Sequence, residues 1–349
     1  MQTRRFEPNE FESIGTKLFD AAGSPHDESA LVSEVLVRSS MMGHDSHGIV
    51  RFVEYLKWIQ QKTIVPGAPF EIIHEAPSLA VVNGNFGWGQ VVAHKSMKLA
   101  IQKAGEAGVG TVVVRNCTHV GRLGEYSVMP VAEGMIGVLY VNTYGSVDRM
   151  VPWGGIVPRL SPNPVSWAMP TGLPWPFLVD ITTSVIPEGK VRVALHAGEK
   201  LPEGILIDSD GNPTTNPADL YDRGGGAILP FGGLVGHKGY GLNLVAELFA
   251  GVLSGAGCRG QETTRIGNGI FLQVLDINRF VPLKEFIASA QGFIAHVKSS
   301  TPKPGVAEVL IPGEIEYRTQ KRNLEEGMRV NESIWKEIVT TAENLGVVL

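Results

Sequence analysis

The chain has 349 residues, 30 of them Lys or Arg and 35 Asp or Glu, for a formal charge of −5. That balance argues against a nucleic-acid partner, and a hydrophobic share of 43% excludes intrinsic disorder as the main state. At ~100–200 residues per domain the length predicts two domains.

Cys117 and Cys258 are too few for a disulfide framework and form neither a CxxC pair nor a zinc set. Glu7, Glu10 and Glu12 stand where a signal peptide needs apolar residues, so the expectation is a cytoplasmic protein without export. No apolar run approaches the ~20 residues that span a bilayer; the run from Leu242 is broken by Glu247. Glycine is abundant, 42 residues with no G-X-Y period, which predicts many tight turns.

In chain order, Phe11, Ile14 and Leu18 mark a helix that begins after Pro8 and stops at Gly23. A second helix has Asp27 as candidate N-cap, an apolar stripe of Leu31, Val32, Val35 and Leu36, and a stop at Gly43. A third starts near Gly48. Its stripe of Ile49, Phe52, Val53 and Leu56 leaves Arg51 and Tyr55 side by side on a flank. From about Ser78 the pattern alternates strand and helix: Leu79 to Val82, Val91 to Ala104, Gly110 to Val114, Ile136 to Val141 and Phe177 to Ile181. After a turn-rich stretch from Gly198 to Gly233, the apolar run Leu242 to Leu253 predicts a buried helix. A strand at Phe271 to Asp276, a helix from Leu283, a linker at Thr301 to Gly305 and a helical tail from Asn331 complete the chain.

Four stretches could carry chemistry. In His44 to Tyr55, Ser46 reads either as the N-cap of a helix flanked by surface histidines or as part of a site. In such a site His47 would move a proton and Arg51 would clamp a carboxylate. In Asn116 to Tyr126, His119 lies just past a strand end, where α/β proteins place ligands, and could equally be an ordinary loop histidine. Asp180 ends an apolar run ahead of hydroxyl residues, so it suits a ribose hydroxyl, a histidine partner or an Asx turn. Gly232 to Phe249 is a glycine-rich loop feeding a helix; with Lys238 it could hold a phosphate, or be a close-packed turn. The one GxGxxG, Gly255 to Gly260, follows a helix rather than a strand and is not a dinucleotide fingerprint.

Taken together, these segments resemble the malate/L-lactate dehydrogenase family of the second, non-Rossmann type. The resemblance rests on DSHG with Arg51 and Tyr55, THVGRLGEYS, PWGG…SPNPVSWAMP, VDITTS, HKGYGLNLVAELFAGVLSGAG and IPGE, in order and almost end to end. It implies an α/β fold in which a non-Rossmann NAD(P)-binding domain with a mixed sheet (76–274) is inserted in a mostly helical domain built by both chain ends (1–75 and 275–349). It also implies a homodimer with NAD or NADP as cofactor and a small carboxylate substrate. By motif, His119, His47 and Ser46 fall on catalytic positions and Arg51 and Tyr55 on substrate positions. Asp180, Ile181, Thr182, His237, Lys238, Gly313 and Glu314 fall on cofactor positions. Where some members carry a substrate-binding lysine, this chain has Asn142-Thr143-Tyr144.

The implied reaction moves a hydride between nicotinamide and C2 of a small 2-hydroxy or 2-oxo acid such as malate or lactate. The alternative within this class is reduction of a cyclic imino acid of the piperideine-2-carboxylate type. Outside it stand a metal-dependent hydrolase or lyase, with His44, Asp45, His47 and His119 as ligands, and a non-catalytic ligand-binding protein.

Overall fold

The computed structural model describes residues 3–221, 225–263 and 265–349. Helix α1, Pro8–Ala21, opens with proline at its first position and a capping box in which Glu7 and Glu10 satisfy each other's amides. It packs along α2, His26–Met41, and α3, Arg51–Gln60. Asp27 is not the cap of α2: Pro25 stands there, and Asp27 lies in the first turn, where its charge still favours the helix N-terminus.

Phe11, Phe19, Phe52, Tyr55 and Trp88 form the centre of this helical core. Met328, Val330 and Ile338 complete it from the other end of the chain. The strand Thr3–Phe6 pairs antiparallel with Met328–Asn331, which ties the two ends together.

A seven-stranded mixed sheet forms the second core. Its spatial order is Glu71–Ala76, Leu79–Asn83, Val109–Cys117, Gly267–Asp276, Met135–Tyr144, Pro164–Met169 and Phe177–Thr182. Leu79–Asn83 runs parallel to Val109–Cys117 through the crossover helix α4, Gly89–Ala107, and the other ladders are antiparallel. The sheet therefore begins at Glu71, inside the stretch assigned from sequence to the helical part. The helix Leu283–Lys298, assigned there too, sets Leu283 and Ile287 against Gly134 and Gly172 of the α/β region.

Side chains alternate across the central strands, so Leu139 and Ile270 face α4 while Tyr140 and Phe271 face the other way. There Phe249 stacks on Tyr140 at 5.7 Å and meets Phe271 at 4.8 Å.

The helix bearing Phe249 departs from expectation. His237–Ala246 is α-helical, but Glu247–Leu253 widens into a π-helix, and only one face is covered. Leu248, Val252 and Leu253 are each more than half exposed. An apolar run cannot by itself distinguish a helix inside a core from one awaiting a partner surface.

The turn-rich stretch folds around a small sheet of Leu206–Ile207, Pro213–Thr214 and Ala227–Ile228. Among the described residues no helix is long and apolar enough to cross a membrane.

Candidate active site

The segment after α2 is pinned by the Ile49 amide, which donates to Ser40 Oγ at 3.1 Å. Asp45–His47 is one turn of 3-10 helix, and α3 begins only at Arg51. Ser46 is thus inside a turn and caps nothing; its Oγ lies 3.0 Å from His47 Nδ1. Arg51 donates from Nε to the Ser46 carbonyl at 2.6 Å and pairs with Glu54, one turn on.

His119 comes from a different part of the fold. The strand Val109–Cys117 ends, Thr118 Oγ1 donates to the Gly87 carbonyl at 2.7 Å, and α4 starts against the backbone of His119. A Cβ at Gly89 would fall 2.2 Å from the His119 carbonyl oxygen, so this approach needs glycine.

The two segments meet ring to ring. His47 and His119 stack with centroids 5.5 Å apart and planes 22° from parallel. Tyr55 Oη lies 2.7 Å from His119 Nδ1, and Trp58 closes the side at 6.2 Å. Tyr55 is therefore not on the open flank of its helix: it is 0% exposed, behind His119. The helical stripe runs through Tyr55 because α3 is covered on two sides.

Burial, then the charges of Arg51 and His47, hold His119 well below the usual imidazole range. Burial and the charges of Arg51, His44 and Arg122 bring His47 down to about 3. Burial also pushes the Tyr55 phenol up, so it keeps its proton. Two neutral imidazoles beside a guanidinium are able to exchange a proton with a bound anion.

Asp180 lies within the last strand of the sheet, opposite Ser166, rather than in a turn. It accepts from the Gly124 amide at 2.6 Å, which links this strand to the loop that carries His119. Burial raises its carboxyl pKa, against the pull of Arg122 and that amide.

Beyond Thr182 the chain runs beside 229–231: the Val185 amide donates to the Leu229 carbonyl and the Phe231 amide to the Thr183 carbonyl. The start of the glycine-rich loop is thereby brought next to Thr183, Ser184 and Val185, just past Asp180, Ile181 and Thr182 in the chain. His237 packs edge-on to Trp153, and Lys238 is exposed at the start of the helix.

On the other side, the Leu178 amide donates to the Pro312 carbonyl. Gly313, at φ +91°, lets the IPGE turn lie against Pro176 and Leu178. Glu314 is 1% exposed, and its carboxylate takes Lys298, Arg318 and the Ile311 amide. Its side chain is committed to holding the turn.

The IPGE turn thus meets the chain at Leu178 and the glycine-rich loop meets it at Thr183 to Val185. His44 connects the helix after the IPGE turn to the segment of His47, with Nε2 3.5 Å from Glu316.

Two residues went unnoticed in the sequence. Gln90 donates to Tyr55 Oη at 2.9 Å from the first turn of α4. Arg122 is 3% exposed, with Glu125 at 3.8 Å and, among the described residues, no hydrogen-bond partner on any of its three guanidinium nitrogens. An arginine inside THVGRLGEYS was the only available signal for Arg122; Gln90 had none.

Asn142, first of the Asn142-Thr143-Tyr144 stretch, is buried and braces Glu247 and the Gly257 carbonyl. Among the described residues no group of three or more His, Cys, Asp or Glu could hold a metal ion, so His44, Asp45, His47 and His119 do not form a ligand set.

Residues 6–339 match the family model described as malate/L-lactate dehydrogenase. A malate dehydrogenase from Pyrococcus horikoshii is 37% identical over 343 residues, covering 96% of this chain and 94% of its own. An L-lactate dehydrogenase from Cupriavidus necator is 35% identical over 328 residues, covering 93% of each. The solved structure of a sulfolactate dehydrogenase from Methanocaldococcus jannaschii superposes with a TM-score of 0.89 at 32% identity, covering 99% of this chain and 98% of that one. A family match over nearly the whole length, on a fold that joins the DSHG, THVG and VDITTS segments, leads to one conclusion: the chain belongs to the malate/L-lactate dehydrogenase family and is an oxidoreductase of 2-hydroxy acids.

Proposed function

We propose that the protein oxidises the C2 hydroxyl of a small 2-hydroxy acid such as malate or lactate, and reduces the matching 2-oxo acid, with His119 carrying the proton. The observation that carries this reading is the hydrogen bond of Tyr55 to His119 Nδ1, which leaves Nε2 as the free edge of the imidazole. Arg51 binds the substrate carboxylate: two of its nitrogens are held by Ser46 and Glu54, and the third makes no bond among the described residues. His47, stacked on His119, and Ser46 orient the same end of the substrate.

The donor set around the last strand suits NAD or NADP. Lys238 and the helix start provide positive charge for a diphosphate, and the carboxylate of Asp180 with Thr182 provides polar groups for a ribose. Ile181, 39% exposed, offers an apolar contact, while His237 and the turn at Gly313 and Glu314 frame the site. The nicotinamide supplies the hydride acceptor; the protein orients both partners, excludes water and handles the proton.

The bare apolar face of the π-helix supports a homodimer, and two free thiols suit a cytoplasmic location.

The test is kinetic. His119→Ala is expected to lower kcat by about 10²–10⁴-fold, while His47→Ala chiefly raises KM. The reverse pattern would transfer the proton to His47.

A further inference from the structure

Tyr55 Oη stands between two groups, Gln90 Nε2 at 2.9 Å and His119 Nδ1 at 2.7 Å. Tyr55 and Gln90 are both 0% exposed, so bulk water does not compete for either. A phenol has one proton to give. When Gln90 donates to Oη, Tyr55 gives its proton to Nδ1, and a neutral His119 carries its own proton on Nε2. In that form Nε2 cannot take a proton from a hydroxyl group.

The same arrangement leaves Gln90 Oε1 buried without a partner among the described residues. The two ends of an amide have nearly the same outline, so a half-turn brings Oε1 to Tyr55. Tyr55 then donates to Oε1 and accepts from His119 Nδ1–H. Nε2 is left bare, as a base.

We propose that Gln90 is a positioning residue for the proton step: turned with Oε1 on Tyr55, its amide sets His119 in the form whose Nε2 accepts the substrate's hydroxyl proton. The inference rests on His119 being the proton carrier. In oxidation the substrate O–H bond breaks, its proton goes to Nε2, and the hydride leaves C2 for the nicotinamide as the C=O bond forms. The imidazolium then donates Nδ1–H to Tyr55 Oη, whose own O–H keeps donating to Gln90 Oε1. In reduction the Nε2 proton returns to the oxygen.

The charged and titratable groups facing His119 are His47 from the turn after α2 and Arg51 and Tyr55 from α3, with neutral Gln90 behind Tyr55 on α4. Arg51 opposes the imidazolium, and its partner Glu54 moderates that charge. The Gln90 carbonyl, acting through Tyr55, favours the imidazolium.

Full-length protein with ¹⁵N-labelled histidine distinguishes the forms, because each ring nitrogen reports whether it carries a proton. Gln90→Glu, which offers an acceptor, is expected to give the Nδ1–H form and to move the acid limb of kcat/KM for hydroxy-acid oxidation upward by about one pH unit or more. Gln90→Leu is expected to give the Nε2–H form and a kcat lower by roughly 10²-fold with KM nearly unchanged. Tyr55→Phe leaves Gln90 in place but cuts the chain, and the Q90E/Y55F double variant should keep the acid limb of Y55F. Ring forms and acid limbs that agree in Q90E and Q90L would overturn the proposal, as would a change confined to KM. If His119→Ala keeps its kcat, the proton-carrier reading falls and this inference with it. If His119→Ala loses kcat but the ring forms do not differ, only the role of Gln90 falls.

Discussion

The imidazoles of His47 and His119 lie 5.5 Å apart and nearly parallel, although 71 positions separate them in the chain. Neither can gain a charge cheaply beside Arg51. His47 ordinarily titrates at 6.5 and in the fold at about 3, so between those values the unfolded chain binds the proton and the folded chain does not. The stability that follows is complete above the ordinary value and is lost as pH falls toward the folded one. Thermal unfolding midpoints should therefore drop between pH 7 and pH 4, and His47→Asn should show a smaller drop. Equal drops in both proteins would exclude His47 as the cause.

Arg51→Ala is expected to lower kcat/KM by about 10²-fold or more, because it removes the proposed charge-assisted clamp from a mostly buried place. Cofactor affinity should remain within a few-fold. Arg51→Lys should rescue little, since an ammonium cannot hold the Ser46 carbonyl and a carboxylate with one planar fork. A parallel fall in cofactor affinity, read by nicotinamide fluorescence, would assign Arg51 to the cofactor instead.

Lys238 is exposed at a helix start, so the contribution proposed for it in cofactor binding is of an electrostatic, salt-screened kind. Lys238→Ala should weaken NAD(P)H binding about 3–10-fold at low salt and by less at high salt. A variant that binds as tightly as the parent at low salt would remove Lys238 from the site.

Leu248, Val252 and Leu253 form a bare apolar stripe. If it seals a dimer, Leu248→Asp or Leu253→Asp should yield monomers in sedimentation experiments, because a buried unpaired carboxylate costs several kcal/mol at each copy. A parent protein that sediments as a monomer at assay concentration would contradict the homodimer outright.

Much of this was legible in the sequence because it is local. The spacing of Phe11, Ile14 and Leu18, the positions of Pro8 and Gly23, and the Val-rich runs mark helices and strands through interactions a few residues long. Motif order pointed to the family, and with it to His119, His47 and Arg51.

Side-chain direction and partner choice were decided by the tertiary fold. Tyr55 reads as a flank residue until α4 supplies Gln90 and the loop after Cys117 supplies His119. Asp180 reads equally as a ligand for a ribose or a histidine and as an Asx-turn residue until Pro164–Met169 pairs alongside it and Gly124 reaches its carboxylate. The helix Leu242 to Leu253 reads as buried until the sheet is seen to cover one face of it. Periodicity records which residues avoid water, whereas a hydrogen bond between positions 55 and 119, or a face left without cover, depends on how elements far apart in the chain pack together.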